Sequence, residues 1–563
     1  MTLPFTCRAL SYGVDLCRFQ KYQEKTEKLM MSKNNQQNKA RSKILSQLDG
    51  YIKKAGLFFC SNKTSSFEIW IFIIYIILLF IQLPSHEQWE DELQAWLIAR
   101  DCSIPRIFYM MRYEGHFALW HLLLHPLASM GLPVIAMNIF SSIICIFACW
   151  LVVFQSPFPR LSKILILFSA PFIYWYPIVA RVYVLIPALV FIIARFYNHR
   201  FQKPYVYAIL LALLSNTHVF MEGMVFALFC LFIFDFYIIR NTLSSKQKKD
   251  CILALVLVIA GVLIAFLQVY STFECTKEAS IQTHSFSDIM KGFNSTRQSF
   301  GNAYLNVWTK TPFLRISFYL SLFACIVCIM RKSFVNAIGM IIGTGWIFLF
   351  SIFIYRLGHP QQSYLILVII LFSFWIHLSS NLMLNNNDNI KKADTILPMA
   401  LVCLITLFSY RSSLCAIEDI AQPFSTVKQT TEYIKQNFSE QDKIYYFPTS
   451  LQTSVLCTWL PKYNLLSGEN QRKYSYLVLE KSLKRDIQPY HLMKCFEHAQ
   501  GDQYYAIVLL RKTHDFEIMA NELNLSIKLL FESTIPAKHS LLAYTEESYK
   551  IYLIKQPDKH DNI

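Results

Sequence analysis

The chain has 563 residues, of which 54% are hydrophobic and 15% aromatic, and its formal net charge is +16. This composition excludes an ordinary water-soluble domain and is typical of a polytopic membrane protein. Lys and Arg are concentrated in residues 1–66, in short loops between apolar runs and in the tail. That distribution indicates membrane orientation rather than nucleic-acid binding, so we expect a lipid bilayer and no nucleic acid among the partners.

The fifteen cysteines do not form the pattern of a disulfide framework or a zinc site. Many lie within apolar runs, including the one C-x-x-C pair, Cys325 and Cys328, which has no second pair at ligand spacing. We therefore expect buried thiols and no structural metal.

Residues 1–66 are polar and basic, and they are predicted to form a cytoplasmic segment without a cleavable signal peptide. Apolar residues between Ile44 and Ile52 recur at helical spacing beside lysines. This pattern favours a helix that lies on the membrane surface.

Eleven apolar runs long enough to cross a bilayer follow, which predicts an α-helical transmembrane domain over 67–411. They lie at about 67–84, 133–155, 161–178, 181–198, 203–220, 222–240, 251–271, 313–330, 333–355, 361–383 and 395–411. The segment 116–131 is short and holds three histidines, so an interfacial helix is predicted there instead of a span. With that assignment, the basic loops fall on the cytoplasmic side and the C-terminus lies outside.

The external side then comprises five loops and the tail. The loops are the acidic loop 85–132, the corners 176–183 and 216–222, the long loop 272–312 and the corner 355–362. In the tail, 412–563, β-rich runs alternate with helical patterns, which predicts a small external α/β domain. The clearest runs are 443–448, 504–510 and 549–556, and the clearest helical pattern is 426–438.

Ionisable residues stand at the external ends of the apolar helices rather than near their middles. They are Asp91, Glu92, Arg112, Glu114, His116, Arg181, Tyr183, His218, Glu222, Arg356 and His359. Snorkelling or interfacial charge would explain any one of them alone. Taken together, acids and arginines at one end of a bundle predict a pocket with a possible base and an arginine clamp for a phosphate.

Asp91 is the first choice among three consecutive acids. The helix around it is expected to run from about Glu92 to Arg100, which would make Asp91 the N-cap. Capping alone would account for an Asp at this position, and capping and catalysis can coexist.

Five strings carry a resemblance to a known superfamily. They are DELQAWLIARD (91–101), MRYEGHFALWHLLL (111–124), PIVARVYVL (177–185), SNTHVF (215–220) and RLGHPQQSYLI (356–366). They follow a first apolar helix and resemble the GT-C superfamily of multi-spanning glycosyltransferases, which use polyprenyl- or dolichyl-phosphate sugars. The group includes protein O-mannosyltransferases and the aminoarabinose transferase of lipid A, and the resemblance is strongest to an uncharacterised bacterial branch.

The resemblance implies a GT-C-like fold and assigns roles to residues of this chain. Asp91 matches the first-loop acid proposed as the acceptor base, Glu92 is its neighbour, and Glu114 matches a second acid that here precedes Gly-His-Phe instead of two prolines. The phosphate of the donor would contact Arg112, His116, Arg181, Tyr183, His218, Arg356 and His359. The corner around Arg181 lacks the acids that help bind a divalent metal in oligosaccharyltransferases, so no metal cofactor is expected.

The activity implied is inverting transfer of a hexosyl or pentosyl group from a polyprenyl-phosphate donor to an unknown acceptor. A bacterial inner membrane with an external active site is the expected location. Two alternatives stay open: a lipid or sugar transporter or flippase, and a non-catalytic membrane scaffold. A transporter would favour repeated halves and charges near mid-membrane, and the sequence contains neither.

Overall fold

The computed structural model describes residues 25, 47, 49–51, 53–114, 116–270, 285–305, 312–331, 333–354, 357–384, 390–422, 425–479, 487–534 and 547–556. The chain forms two compact units, 1–63 and 64–563. In the first unit, residues 53–59 are helical and Lys53 pairs with Asp49 at 2.8 Å. Most apolar positions of the predicted surface helix lie outside the described residues.

The described residues between 64 and 421 are almost entirely helical. The helices are α1 (Ser66–Gln82), α2 (Glu90–Asp101), α3 (Ile104–Glu114), α4 (Leu119–Ser129), α5 (Ile135–Trp150), α6 (Arg160–Leu167), α7 (Leu185–Phe196), α8 (Pro204–Ser215), α9 (Glu222–Ile239), α10 (Ser245–Val269), α11 (Phe286–Leu305), α12 (Pro312–Met330), α13 (Phe334–Phe353), α14 (Pro360–Ser363), α15 (Leu365–Leu384), α16 (Ile390–Ser409) and α17 (Leu414–Ala421). Short helical turns extend α5 over Leu151–Gln155 and flank α7 at Val182–Val184 and Tyr197–His199.

Among the described residues, eight helices are long and apolar enough to cross a membrane. They are Ser66–Ser85, Ile135–Gln155, Val182–His199, Val219–Ile239, Ser245–Val269, Asn336–Phe353, Pro360–Ser379 and Ile396–Ala421. Pro204–Ser215 and Ile316–Met330 are shorter apolar helices at two further predicted spans. Many large apolar side chains on these helices face outward, as lipid contact requires, and the chain is an integral multi-pass membrane protein.

The run predicted to span at 161–178 is not one continuous helix. Helix α6 ends at Leu167, and a separate turn covers Pro171–Trp175. Pro171 has no N–H to donate to a preceding carbonyl, so a regular helix cannot pass through this point without losing a hydrogen bond. The run is buried within the bundle, which allows its interrupted backbone to find partners in neighbouring helices.

The region predicted as the long loop 272–312 contains the twenty-residue helix α11. Ser285 precedes it, and its hydroxyl accepts the backbone N–H of Asp288, so the helix has a local start signal. Phe300 and Tyr304, four residues apart, are buried, whereas Phe286 and Phe293 are exposed. The loop prediction was therefore wrong for this part, and the apolar spacing that buries one helical face was the signal that would have corrected it.

The C-terminal part is a five-stranded sheet with helices, as predicted. Its elements are α18 (Val427–Asn437), β1 (Lys443–Phe447), α19 (Leu451–Ser454), β2 (Asn464–Ser467), α20 (Pro489–Ala499), β3 (Gln503–Leu509), α21 (Thr513–Glu522), β4 (Ser526–Glu532) and β5 (Tyr549–Lys555). The strand order is β2-β1-β3-β5-β4, with β1 parallel to β2 and β3, and β5 antiparallel to β3 and β4. The three β-rich runs became β1, β3 and β5, and the short β2 and the exposed β4 were missed.

Both faces of the sheet are covered. Along β1, Tyr445 and Phe447 pack in the cluster that α20 and α21 complete, while Ile444 and Tyr446 face the other way. That second face belongs to the same continuous core as the transmembrane helices. The sheet is consequently fixed to the bundle, above helix α2 of the first loop.

The predicted orientation can be tested by cysteine labelling. If the C-terminal sheet and its helices lie outside, a cysteine at exposed Asn437 should react with an impermeant maleimide added to sealed cells. A cysteine at Lys248 should not react. The background should lack the exposed native Cys60 and Cys230 and also Cys275, which lies in the predicted external loop 272–312. Labelling in the opposite pattern would contradict the topology, and permeabilised cells should label both positions.

Candidate active site

Four separate corners of the chain meet at one end of the helix bundle. Helix α2 of the first loop, the corner before α7, the corner before α9 and the start of α14 touch one another through side chains. Three of these corners precede helices that start here and run to the other end of the bundle. The predicted convergence of the loops is therefore a feature of the fold.

Asp91 lies at the centre of this meeting point. One of its carboxylate oxygens accepts a hydrogen bond from Nη1 of Arg181 and lies 3.7 Å from Nε2 of His359. The Asp91 side chain is 27% exposed, whereas that of Arg181 is 9% exposed. The carboxylate can thus be reached from outside, while the guanidinium is held in the wall.

Aromatic rings shape this wall. The guanidinium carbon of Arg181 lies 5.8 Å from the ring centroids of both Trp89 and Tyr183. Trp89 in turn meets the His359 ring edge-on at 5.0 Å. Rings at these distances stabilise the cation and limit its movement, which fixes the orientation of its planar fork.

The electrostatics keep Asp91 ionised. Burial by itself raises the pKa of Asp91, but Arg181, His359 and His116 outweigh it and hold that pKa below its usual value. Burial lowers the pKa of His116 and that of His359 to about 4, so both rings are neutral at pH 7. Each of these histidines also has a buried Nδ1 with no hydrogen-bond partner among the described residues. The site therefore offers one carboxylate, one fixed cation and two neutral imidazoles with unused polar atoms.

Tyr183 and His218 connect the corners. Nδ1 of His218 accepts the backbone N–H of Phe220, so its Nε2 carries the proton and donates to the Tyr183 hydroxyl at 3.2 Å. The amide of Gln362 donates to the same hydroxyl at 2.7 Å. The ring of His116 lies 5.5 Å from that of His218. Tyr183 and His218 thus hold the corner around Arg181 in place through buried hydrogen bonds, and they are not the groups that a ligand would reach first.

Glu92 faces away from Asp91, into a fully buried network. Its Oε1 accepts the side-chain amide of Asn138 at 2.9 Å and the backbone N–H of Ala180 at 2.7 Å. Its Oε2 lies 3.0 Å from Nε2 of His86, whose Nδ1 contacts Asp419 at 2.7 Å. Burial lowers the pKa of His86, but the two carboxylates outweigh this and raise it to about 10. Glu92 therefore fastens α2 to the residue that precedes Arg181.

Loss of the Glu92 charge should destabilise the protein. In Glu92→Gln, the new amide would face the His86 N–H donor, and one buried carboxylate partner of the imidazolium would be gone. We expect a loss of about 3–5 kcal/mol in the free energy of unfolding, which is typical of a broken buried ion pair. Thermal unfolding in detergent measures this effect. Asp101→Asn, at the exposed end of the same helix, is the matched control, and an equal Tm shift in both variants would contradict this role.

Glu114 is partly buried close to the cluster. Its Oε1 accepts a hydrogen bond from the Gln94 amide at 2.9 Å, and Gln94 also exchanges hydrogen bonds with the backbone of Leu477. Burial is the main cause that raises the pKa of Glu114 to about 7, and the charge of Asp91 adds to it. A carboxyl group with such a pKa can exchange a proton near neutral pH.

The C-terminal part of the chain also contacts Glu90, the residue before Asp91. Oε1 of Glu547 accepts the backbone N–H of Glu90 at 2.6 Å, and its other oxygen accepts the Ser425 hydroxyl. Burial raises the pKa of Glu547 to about 8, and burial with the nearby acids raises that of Glu90 well above its usual value. Glu547 is therefore mainly protonated at neutral pH, and the raised pKa of Glu90 favours its neutral form, whereas the lowered pKa of Asp91 favours its charged form.

The raised pKa of Glu547 makes stability depend on pH. Between pH 4.5 and about 8 the folded state binds more protons than the unfolded state, so stability falls as pH rises through this window. The loss should be on the order of a few kcal/mol. We expect Glu547→Gln to flatten this slope in a pH series of thermal unfolding. The exposed Glu440→Gln is the control, and an unchanged slope in Glu547→Gln would contradict the assignment.

Two predicted residues are not part of this arrangement as described. Arg112 is exposed on α3, with its guanidinium carbon 5.4 Å from the ring centroid of Tyr109, and it makes no described contact with Asp91 or Arg181. Arg356 lies outside the described residues. Across the described ranges, no group of three or more His, Cys, Asp or Glu side chains could hold a metal ion.

The predicted N-cap position was wrong by two residues. Helix α2 begins at Glu90 and follows Trp89, whose backbone is extended with φ −106° and ψ 176°. Asp91 is consequently the second helical residue, where a negative charge still interacts favourably with the helix dipole. Its side chain is free to face the corner that carries Arg181.

Sequence reasoning missed several partners of the site. His86, Trp89, Gln94, Gln361 and Glu547 each fix a group around Asp91 or Arg181. Gln361 could have been noticed, because it stands beside Gln362 in the string that contains His359, and its amide donates to the carbonyls of Trp175 and Val179. Glu547 carries no local signal, since its contact with Glu90 joins residues more than 450 positions apart.

Fold and site together define a multi-pass membrane protein with a partly exposed ionisable site at one end of its bundle. No family model matches the chain, and no curated protein matches it either. The solved structures that are similar to the chain include ArnT from Cupriavidus metallidurans bound to undecaprenyl phosphate and the same protein in the apo state. They are 11% and 12% identical, with TM-scores of 0.49 and 0.48, and each match covers 87% of this chain and 98% of the other. At this level neither likeness transfers a residue role.

Proposed function

We propose that the protein is a GT-C-type membrane glycosyltransferase that moves a sugar from a polyprenyl-phosphate donor to an acceptor hydroxyl. The observation that carries this proposal is the contact between the reachable carboxylate of Asp91 and the fixed guanidinium of Arg181. A sugar transfer from a lipid phosphate needs a base for the acceptor and a cation for the leaving group. The motif resemblance of the five strings points to the same reaction.

The proposed reaction is a single displacement at the anomeric carbon. Asp91 accepts the proton of the acceptor hydroxyl, and the acceptor oxygen forms a bond to the anomeric carbon. The bond from that carbon to the phosphate oxygen breaks, and its electron pair stays on the polyprenyl phosphate. Arg181 holds the negative charge that grows there, and the anomeric configuration is inverted.

The ion pair in the ligand-free protein is part of this proposal. While Arg181 is bound to Asp91, the carboxylate is held ionised but is a weak base, because its pKa is lowered. A donor phosphate offers the guanidinium two oxygens in the geometry of its planar fork. Transfer of Arg181 to the phosphate would leave Asp91 without its main cationic partner and would raise its basicity when the acceptor arrives.

The surroundings reduce the choice of base to two residues. Glu92 accepts hydrogen bonds on both oxygens from buried groups, so it has no capacity for an acceptor hydroxyl. Asp91 is reachable, and Glu114, whose pKa is about 7, is the second candidate. His116 and His359, neutral and with unused nitrogen atoms, are suited to hydrogen bonds with sugar hydroxyls or phosphate oxygens.

The proposal can be tested without knowing the sugar. Undecaprenyl phosphate added to the purified full-length protein should raise its Tm, and the effect should disappear in Arg181→Gln. A panel of polyprenyl-phosphate sugars in proteoliposomes should then yield free polyprenyl phosphate only with a cognate donor and acceptor. Stabilisation without any transfer across the panel, together with movement of the lipid between leaflets, would identify a flippase. No response to lipid at all would contradict the proposal and favour a non-catalytic membrane scaffold.

A further inference from the structure

A second charged groove lies at the other end of the bundle. Helix α5 and helix α7 both start near the candidate active site, where α5 carries Asn138 and Arg181 precedes α7, and with their flanking turns both run about 30 Å away from it. Between their far ends is a groove of about 670 Å³. It shares no residue with the candidate active site, and its function does not depend on the reaction proposed there.

Three basic side chains line this groove without a carboxylate partner in the described part of the chain. Nε of Arg195 donates to the Gln155 side chain at 3.1 Å, and Nδ1 of His199 lies 3.1 Å from the Gln202 oxygen. Nζ of Lys203 lies 5.8 Å from the ring centroid of Phe196. Each of these contacts is to a neutral group, so no described residue cancels the positive charges of Arg195 and Lys203.

Neighbouring cations at the same end are paired instead. Arg200 binds Asp235 at 2.6 Å, and Arg160 binds Glu68 at 2.6 Å. Arg195, His199 and Lys203 therefore differ from the basic residues beside them. Unpaired cations gathered in a concave surface favour an anionic ligand.

The other walls of the groove are aromatic and open toward the lipid. Phe147 and Trp150 are 42% and 38% exposed on α5, at the level where this spanning helix ends. Trp at such a level typically lies among lipid headgroups. The exposed Arg195 donates through Nε to Gln155, and exposed apolar side chains continue along α5 toward the bilayer centre. Cations at the rim with apolar walls below match a lipid better than a free ion.

We propose that this groove binds one glycerophospholipid with an anionic headgroup, such as phosphatidylglycerol. Its phosphodiester would lie between Arg195 and Lys203, and its acyl chains would lie along Phe147 and Trp150. The volume is sufficient for a headgroup and glycerol, which is more than a single phosphate requires. The site would anchor the end of the bundle that is remote from the candidate active site.

Native mass spectrometry of the full-length protein released from nanodiscs tests this proposal. In nanodiscs with equal amounts of phosphatidylcholine and phosphatidylglycerol, the wild type should retain phosphatidylglycerol preferentially. The double variant Arg195→Gln/Lys203→Gln should bind it about thirtyfold more weakly. Each cation near the membrane surface contributes roughly 1 kcal/mol, which is about a fivefold change in affinity, and two such changes multiply to about thirtyfold. Arg240→Gln/Lys248→Gln removes the same charge at the end of α9 and in the first turn of α10, and this variant should retain the lipid.

Three outcomes would overturn the proposal. Equal phosphatidylglycerol retention by the wild type and the groove variant would show that the groove does not bind this lipid. Displacement of the lipid by inorganic phosphate would show a simple anion site. Preferential retention of added undecaprenyl phosphate over phosphatidylglycerol would assign the groove to a polyprenyl lipid. If the double variant does not fold, the exposed Lys203→Gln alone should still weaken retention severalfold.

Discussion

Asp91→Asn is expected to lower sugar transfer by about a hundredfold or more, the usual contribution of a general base. Asparagine has nearly the same shape and is a good residue near a helix start, but it cannot take a proton. The assay is release of polyprenyl phosphate from a cognate donor in proteoliposomes. The effect should fall on turnover, because the acceptor and donor contacts of the other residues are unchanged.

A lipid-binding measurement should distinguish the role of Asp91 as the base from that of Arg181 as the phosphate clamp. In Asp91→Asn, Arg181 no longer has the Asp91 carboxylate to exchange for the donor phosphate, so undecaprenyl phosphate should stabilise this variant at least as much as the wild type. A folded protein that binds lipid and does not transfer would identify Asp91 as a chemical group. The pair is partly exposed, so we expect only about 1 kcal/mol of lost stability.

Two controls accompany the Asp91 experiment. Asp101→Asn removes a carboxylate from the far end of α2, where Asp101 pairs with Arg100, and transfer should be unchanged. Glu114→Gln tests the alternative base. Near-normal transfer in Asp91→Asn with a large loss in Glu114→Gln would move the base to Glu114 and contradict the assignment of Asp91.

The sequence predicted the membrane architecture well because apolar periodicity and length are local signals. The segment 116–131 became α4, with 11 residues and a length of about 16 Å, which is too short to cross a bilayer. The interrupted run around Pro171 was misread because composition alone does not reveal where a buried backbone breaks. Strand β4 was missed because both the polar and the apolar residues of its run are largely exposed.

Residue types predicted the members of the site better than their roles. Asp91 and Glu92 are adjacent in sequence and similar in chemistry, yet one faces Arg181 and the other faces His86. Consecutive helical residues point about 100° apart, so neighbours in sequence need not share a site. Which of them faces the open side depends on distant partners such as Asn138 and Ala180, and no local pattern specifies these.

Arg181→Lys is the second large effect that we expect, and it tests the clamp. Lysine keeps the positive charge but replaces a planar fork with a single ammonium, so the two-point contact with phosphate is lost. The Trp89 and Tyr183 rings around the guanidinium would also lose a flat partner. We expect the apparent affinity for undecaprenyl phosphate to fall about tenfold and transfer to fall further, because the leaving-group charge is greatest in the transition state.

Arg200→Lys is the matched control for this substitution. Arg200 also pairs with a carboxylate, Asp235, and its guanidinium carbon lies 4.1 Å from the ring centroid of Tyr197, but it is at the opposite end of the bundle. A similar loss of stability in both variants would report only the change of side chain. A loss of lipid binding and transfer confined to Arg181→Lys would report the clamp. Wild-type lipid affinity and transfer in Arg181→Lys would show that a point charge is sufficient, and the proposed two-point contact with the phosphate would have to be abandoned.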